Sequence, residues 1–140
     1  RFFGEAIVLD LSEEAQGKAL SPEQLQRAAA PGGGVRPGDI TFFRFDWDKR
    51  GGELPYPSTD ALRWLVEQGI KLLGIDTPGL DIPGDRSLPN HHLLFTNGIP
   101  LIESLNHLDQ LQRPRVYVFA QPLPAAETDA IPLRVLAFEG

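Results

Sequence analysis

Cysteine and methionine are both absent from the 140-residue chain. Without cysteine there is no disulfide framework, no thiolate nucleophile and no Cys-ligated zinc site. Long apolar runs are missing too: none approaches the roughly 18 residues that a membrane span requires. Basic residues are few and scattered. Thirteen Lys and Arg stand against nineteen Asp and Glu, giving a net charge of −6, and Lys49-Arg50 is the longest basic run. A nucleic-acid-binding surface needs clustered positive charge, so that class is excluded. The opening Arg1-Phe2-Phe3-Gly4-Glu5 lacks the apolar stretch of a signal peptide, and a cytoplasmic location is the default. The missing methionine and the immediate entry into a strand-like pattern predict a chain trimmed at its amino end. Such trimming would leave apolar surface and an unpaired strand edge near Ala6 to Leu11.

What is present suits one soluble domain, with 41% apolar and 23% charged residues. Runs rich in β-branched and aromatic residues predict six strands: Ala6 to Leu11, Ile40 to Phe45, Ile70 to Asp76, Ile99 to Leu105, Arg115 to Ala120 and Leu133 to Phe138. Three helices fall between them. Ser21-Pro22-Glu23-Gln24 combines an N-cap, a proline at the first helical position and a Gln three residues after the cap; that helix runs to about Ala29. A second starts near Ser58-Thr59-Asp60, ends at Gly69 and turns Leu62, Leu65 and Val66 inward. A short third covers His91 to Asn97 and is closed by Gly98. Asp46 to Pro57 and the segment carrying Pro78, Gly79, Pro83, Gly84 and Pro89 read as long loops, which in compact domains are usually functional or mobile. The pattern predicts an α/β fold with a mixed sheet and flanking helices.

The chemistry concentrates in His91-His92-Leu93-Leu94-Phe95-Thr96-Asn97-Gly98-Ile99-Pro100-Leu101-Ile102-Glu103. On a strand, Ile99, Leu101 and Glu103 share one face, so Glu103 closes an apolar face and needs a cation, a hydrogen-bond network or an exposed strand end. A reversal at Gly98 brings it back beside His91. Imidazole and carboxylate suit zinc, manganese or iron, although a catalytic zinc takes three protein ligands. An exposed histidine at a helix start and a strand-end glutamate fit the same spacing. His92 points away and is expected in solvent, and His107 falls in a turn. Asp76 and Thr77 follow a strand, where α/β folds gather ligands; Asp76 equally suits a turn cap. Trp47 follows another strand and suits either packing or an aromatic substrate. No Walker loop, GxSxG elbow or dinucleotide fingerprint occurs.

Taken together, these segments resemble the cyclase family, which includes kynurenine formamidases (arylformamidases) and isatin hydrolases. His91 to Leu105 is similar to that family's metal-ligand segment, with Ser104 in place of the usual Asn after Glu103. Ile7-Val8-Leu9-Asp10-Leu11-Ser12, Phe43-Arg44-Phe45-Asp46-Trp47 and Leu73-Gly74-Ile75-Asp76-Thr77-Pro78 match family segments in order; Gly79 replaces a Ser. Thr128 to Arg134 is similar to the family's Asp-Gly-x-Pro-x-Arg ending, with Ala130 replacing Gly. The resemblance implies a swivelling β/β/α-like fold and a homo-oligomer. It implies hydrolysis of a small-molecule amide, a formamide or a cyclic amide such as N-formylkynurenine or isatin, with a divalent metal, zinc or manganese. His91 and Glu103 would be metal ligands, with Asp76, Thr77 and Trp47 near substrate or behind the ligands. The family's His-x-Gly-Thr-His-x-Asp-x-Pro-x-His signature is not in the chain, and with it go the other ligands and the general acid/base. Residues 1–140 are therefore expected to be the carboxy-terminal part of one hydrolase domain, associated with an amino-terminal segment or another chain. The rival expectation is a short, non-catalytic relative used for binding or assembly.

Overall fold

The computed structural model describes residues 1–14, 18–125 and 127–140. In chain order it contains β1 (Phe3–Asp10), β2 (Ala19–Leu20), α1 (Pro22–Ala29), β3 (Ile40–Arg44), α2 (Trp47–Arg50), β4 (Tyr56–Pro57), α3 (Thr59–Glu67), β5 (Leu72–Ile75), α4 (Pro89–Thr96), β6 (Leu101–Ile102), β7 (Arg115–Pro122) and β8 (Leu133–Phe138). A six-stranded mixed sheet has the order β6-β5-β3-β1-β7-β8, and β2 and β4 form a small parallel pair. β1, β3, β5 and β6 run parallel; β7 is antiparallel to β1, and β8 to β7. The α/β fold with a mixed sheet and flanking helices is the architecture expected from the sequence.

Alternation along the strands divides the core in two. Ile7, Leu9, Phe43, Leu73 and Ile75 point to the helical side, where Leu25, Ala61, Leu62, Leu65 and Leu94 cover them. Ala6, Val8, Ile40, Phe42, Leu72, Val116 and Val118 face the other way, under Ile102, Leu108 and the partly buried Leu105 and Leu111. The capping signals act as the sequence predicts. Ser21 and Gln24 form a complete capping box on α1, and the Ser58 hydroxyl accepts from Ala61 N–H at the start of α3. Leu62 and Leu65 of α3 are buried, while Val66 is only half-buried.

Three expectations need correction. β1 is not an edge: it is paired with β3 on one side and β7 on the other. The exposed apolar surface lies instead on Phe3, Tyr117, Phe119, Leu136 and Phe138, cross-strand neighbours along β1, β7 and β8 on the helical side but beyond the helices. The loop expected from Asp46 to Pro57 contains α2 and β4. The strand expected from Ile99 to Leu105 is regular only at Leu101–Ile102, because Pro100 brings no N–H and Ser104 turns to φ +57°. Irregular pairing continues on either side, with Leu73 N–H donating to Pro100 O and Ser104 N–H to Thr77 O.

Candidate metal centre

The β5–α4–β6 crossover brings His91 and Glu103 together. α4 ends in a Schellman motif: Gly98 N–H donates to Phe95 O and Ile99 N–H to Leu94 O, with Gly98 at φ +67° and Leu94 and Ile99 both buried in the helical core. That reversal sends the chain back past the helix start, and Glu103 follows directly on β6. His91 Nε2 and Glu103 Oε1 lie 3.2 Å apart. Behind His91, its Nδ1 is 2.6 Å from Oδ2 of Asp81. Asp81 is buried, and its carboxylate also accepts from Asn90 N–H at 2.7 Å and His91 N–H at 3.1 Å. Phe95, one turn along α4, sets its ring edge-on to the imidazole at 5.8 Å.

An acceptor-only carboxylate at Nδ1 makes that nitrogen the donor, which leaves the Nε2 lone pair of a neutral ring facing Glu103. Two acceptors at such a distance require a proton or a cation between them. Two ligands each about 2.1 Å from zinc, at a tetrahedral angle, lie about 3.4 Å apart. The observed separation fits that bite, so the pair can hold a divalent ion as part of a ligand set. Among the described residues no group of three or more His, Asp or Glu side chains is arranged around one ion.

His91 and Glu103 open into a cleft of about 580 Å³, lined also by Leu54, Leu80, Asp81, Ile82, Arg86 and Leu88. The other sequence-selected residues lie elsewhere. Asp76 is buried behind the strand ends, its carboxylate accepting from Phe45 N–H at 2.9 and 3.0 Å and from Asp46 N–H at 2.8 Å. It caps the turn after β3. Burial pushes the Asp76 carboxyl up to about 6, against the pull of these amides. Thr77 is buried, its hydroxyl donating to Gly79 O, while its own carbonyl accepts from Ser104 N–H and so fixes the backbone next to Glu103. Trp47 lines a separate small recess with Leu11, Ser12, Phe45 and Arg50. His92 is exposed, and His107 heads a tight turn. Asp81 was missed from sequence. An acidic residue ten positions before His91 carries no local signal, and the pairing depends on how the intervening loop folds.

The chain belongs to the putative cyclase family, whose model matches residues 1–82. That match stops short of His91. Kynurenine formamidase from Bordetella petrii is 33% identical over 79 residues, 56% of this chain and 37% of the relative. The Bacillus cytotoxicus enzyme of the same name is 32% identical over 83 residues, 59% and 39% of the two chains. Isatin hydrolase A from Labrenzia aggregata superposes with a TM-score of 0.85 at 29% identity, over 97% of this chain and 60% of that one. A potential metal-dependent hydrolase with cyclase activity superposes at 0.81 and 26% identity, over 97% and 65%. The chain thus matches less than two fifths of each of these two formamidases and under two thirds of the solved structures. No helix among the described residues is long and apolar enough to cross a membrane.

Proposed function

We propose that the chain works in a divalent-metal amide hydrolase, to which it contributes His91 and Glu103 as metal ligands. The observation that carries this reading is the pair of acceptor atoms facing each other across 3.2 Å at the mouth of the cleft. Nitrogen and oxygen donors of this kind suit zinc and manganese. The substrate is a formamide or cyclic amide, N-formylkynurenine or isatin being the representatives suggested by the relatives. An ion held there would supply a water nucleophile and polarise the amide carbonyl. The chain's own part is to hold the two ligand atoms, to present the apolar walls of Leu54, Leu80, Ile82 and Leu88 to an aromatic ring, and to fix the Glu103 backbone through Thr77. Asp76 and Trp47 would support the neighbouring strand ends. On this reading residues 1–140 are one domain unit, the carboxy-terminal portion of the hydrolase domain, and its remaining ligands come from a polypeptide bearing the family's His-x-Gly-Thr-His-x-Asp motif.

Zinc or manganese titrated into the purified protein should bind weakly, since two protein ligands fall short of a catalytic set. His91→Ala and Glu103→Ala should each abolish that binding. Hydrolysis of N-formylkynurenine or isatin should appear when a polypeptide with the family motif is joined or added, and should fall with metal affinity in both variants. Metal binding untouched by either substitution would refute the assignment. The apolar strip of Phe3, Tyr117, Phe119, Leu136 and Phe138 supports a second reading, assembly. A second copy of this chain is the partner we propose, and light scattering would detect it; a monomer at every concentration would exclude it.

A further inference from the structure

α4 begins without a cap of its own. The residue in the N-cap position is Leu88, whose side chain makes no capping bond and whose φ is +48°. Pro89, the first helical residue, has no N–H to satisfy. The next two amides, Asn90 and His91, both donate to the carboxylate of Asp81, and His92 N–H donates to Leu88 O. Asp81 is thus a cap supplied from outside the helix, across a loop. The same Oδ2 that takes the His91 amide also takes Nδ1 of the His91 ring, at 2.6 Å. One buried carboxylate therefore fixes the helix start and the imidazole borne on it.

We propose that Asp81 is the positioning residue of the centre: it sets the His91 tautomer so that Nε2 faces Glu103, and couples that orientation to the placement of α4. The inference rests on the ligand reading above only for its consequence for metal; the tautomer claim stands on the carboxylate–imidazole geometry. A histidine left without such a partner can place its proton on either ring nitrogen, and a proton on Nε2 removes the lone pair from the cleft. Outer partners of this kind typically change metal affinity by 10–100-fold. The helical cap adds a second effect. Because both interactions end on one group, any displacement of Asp81 moves the helix start and the imidazole together.

The neighbouring Asn90 provides the control. Its amide donates to Pro57 O and Leu80 O, tying α4 to β4 and the loop, yet its side chain makes no bond to the His91 ring. Both Asp81→Asn and Asn90→Ala should lower thermal stability, so stability alone does not distinguish them. The imidazole does. Long-range ¹⁵N–¹H spectra of the metal-free protein should show a proton held on His91 Nδ1 in the wild type and in Asn90→Ala, whatever lies between Nε2 and Glu103. In Asp81→Asn that Nδ1 proton should be lost or should exchange with Nε2. Zinc affinity should fall 10–100-fold in Asp81→Asn and by less than threefold in Asn90→Ala. An unchanged His91 spectrum in Asp81→Asn would overturn the inference, as would equal spectral changes in both variants. A shifted spectrum with no wild-type zinc binding would uphold the positioning role and reject the ligand reading instead.

Discussion

Replacing Asp76 by asparagine separates the electrostatic cost of a buried carboxylate from the hydrogen bonds it makes. Asp76 is 7% exposed and accepts two backbone amides at the end of β3. Desolvation moves its carboxyl from 3.8 to about 6. Between those values the folded protein keeps a proton that the unfolded chain has released, so unfolding releases a proton and stability falls as pH rises. At about 1.4 kcal/mol per pH unit, the ionised carboxylate costs about 3 kcal/mol once the pH is above 6. Asparagine never ionises, and its loss of acceptor capacity is the same at every pH. The difference in unfolding free energy, wild type minus Asp76→Asn, should therefore grow by about 3 kcal/mol as the pH is lowered from 7.5 to below 4. Urea titrations of both proteins across that range measure it, and the remaining carboxylates cancel in the subtraction. A difference that stays flat, or that grows as the pH is raised, would refute the argument.

Two substitutions test the packing around the centre. A Cβ at Gly74 would lie 2.6 Å from the Phe42 ring and 2.8 Å from a Leu105 methyl, so Gly74→Ala should cost about 1–3 kcal/mol in urea unfolding; no loss would show that Phe42 can swing aside. Ser104, beside Glu103, is held at φ +57°, a conformation that asparagine tolerates better. Ser104→Asn should raise stability by about 0.5 kcal/mol in the same assay, and a loss would reveal a role for the hydroxyl.

The parts of the fold written in local chemistry were legible in the sequence. Ser21 with Gln24, Ser58, and Gly98 after Asn97 each fix a helix end through bonds spanning a few residues, and the structure makes all of them. The proximity of His91 and Glu103 follows from the same cause, since one helix and one glycine turn determine it. Asp81 was not legible because its two tasks depend on a loop whose path no periodicity encodes. The position of β1 inside the sheet was missed for a related reason. The continuous apolar run Ala6 to Leu9 says that this is a strand with two buried faces, but its neighbours are chosen by pairings such as Phe3 with Phe119. Ser104 shows the reverse case. Its departure from the Asn that the resemblance implies was visible in the sequence, and the backbone angle of φ +57° shows why Asn would suit the position.

The pairing of β1 with β7 also sets an order of events during synthesis. β1 is made before β3, which soon covers one of its edges, but the partner on the other side is Arg115 to Phe119, roughly a hundred residues further along. Until that late segment leaves the ribosome, one backbone edge of β1 is open, and the apolar face carrying Ala6 and Val8 lacks Val116 and Val118. The entropy of closing so long a loop is recovered only when β7 pairs with β1. The chain with β1 made and β7 not yet made is then the species most exposed to wrong partners, and the antiparallel pair of β7 and β8 acts as the latch that ends that exposure.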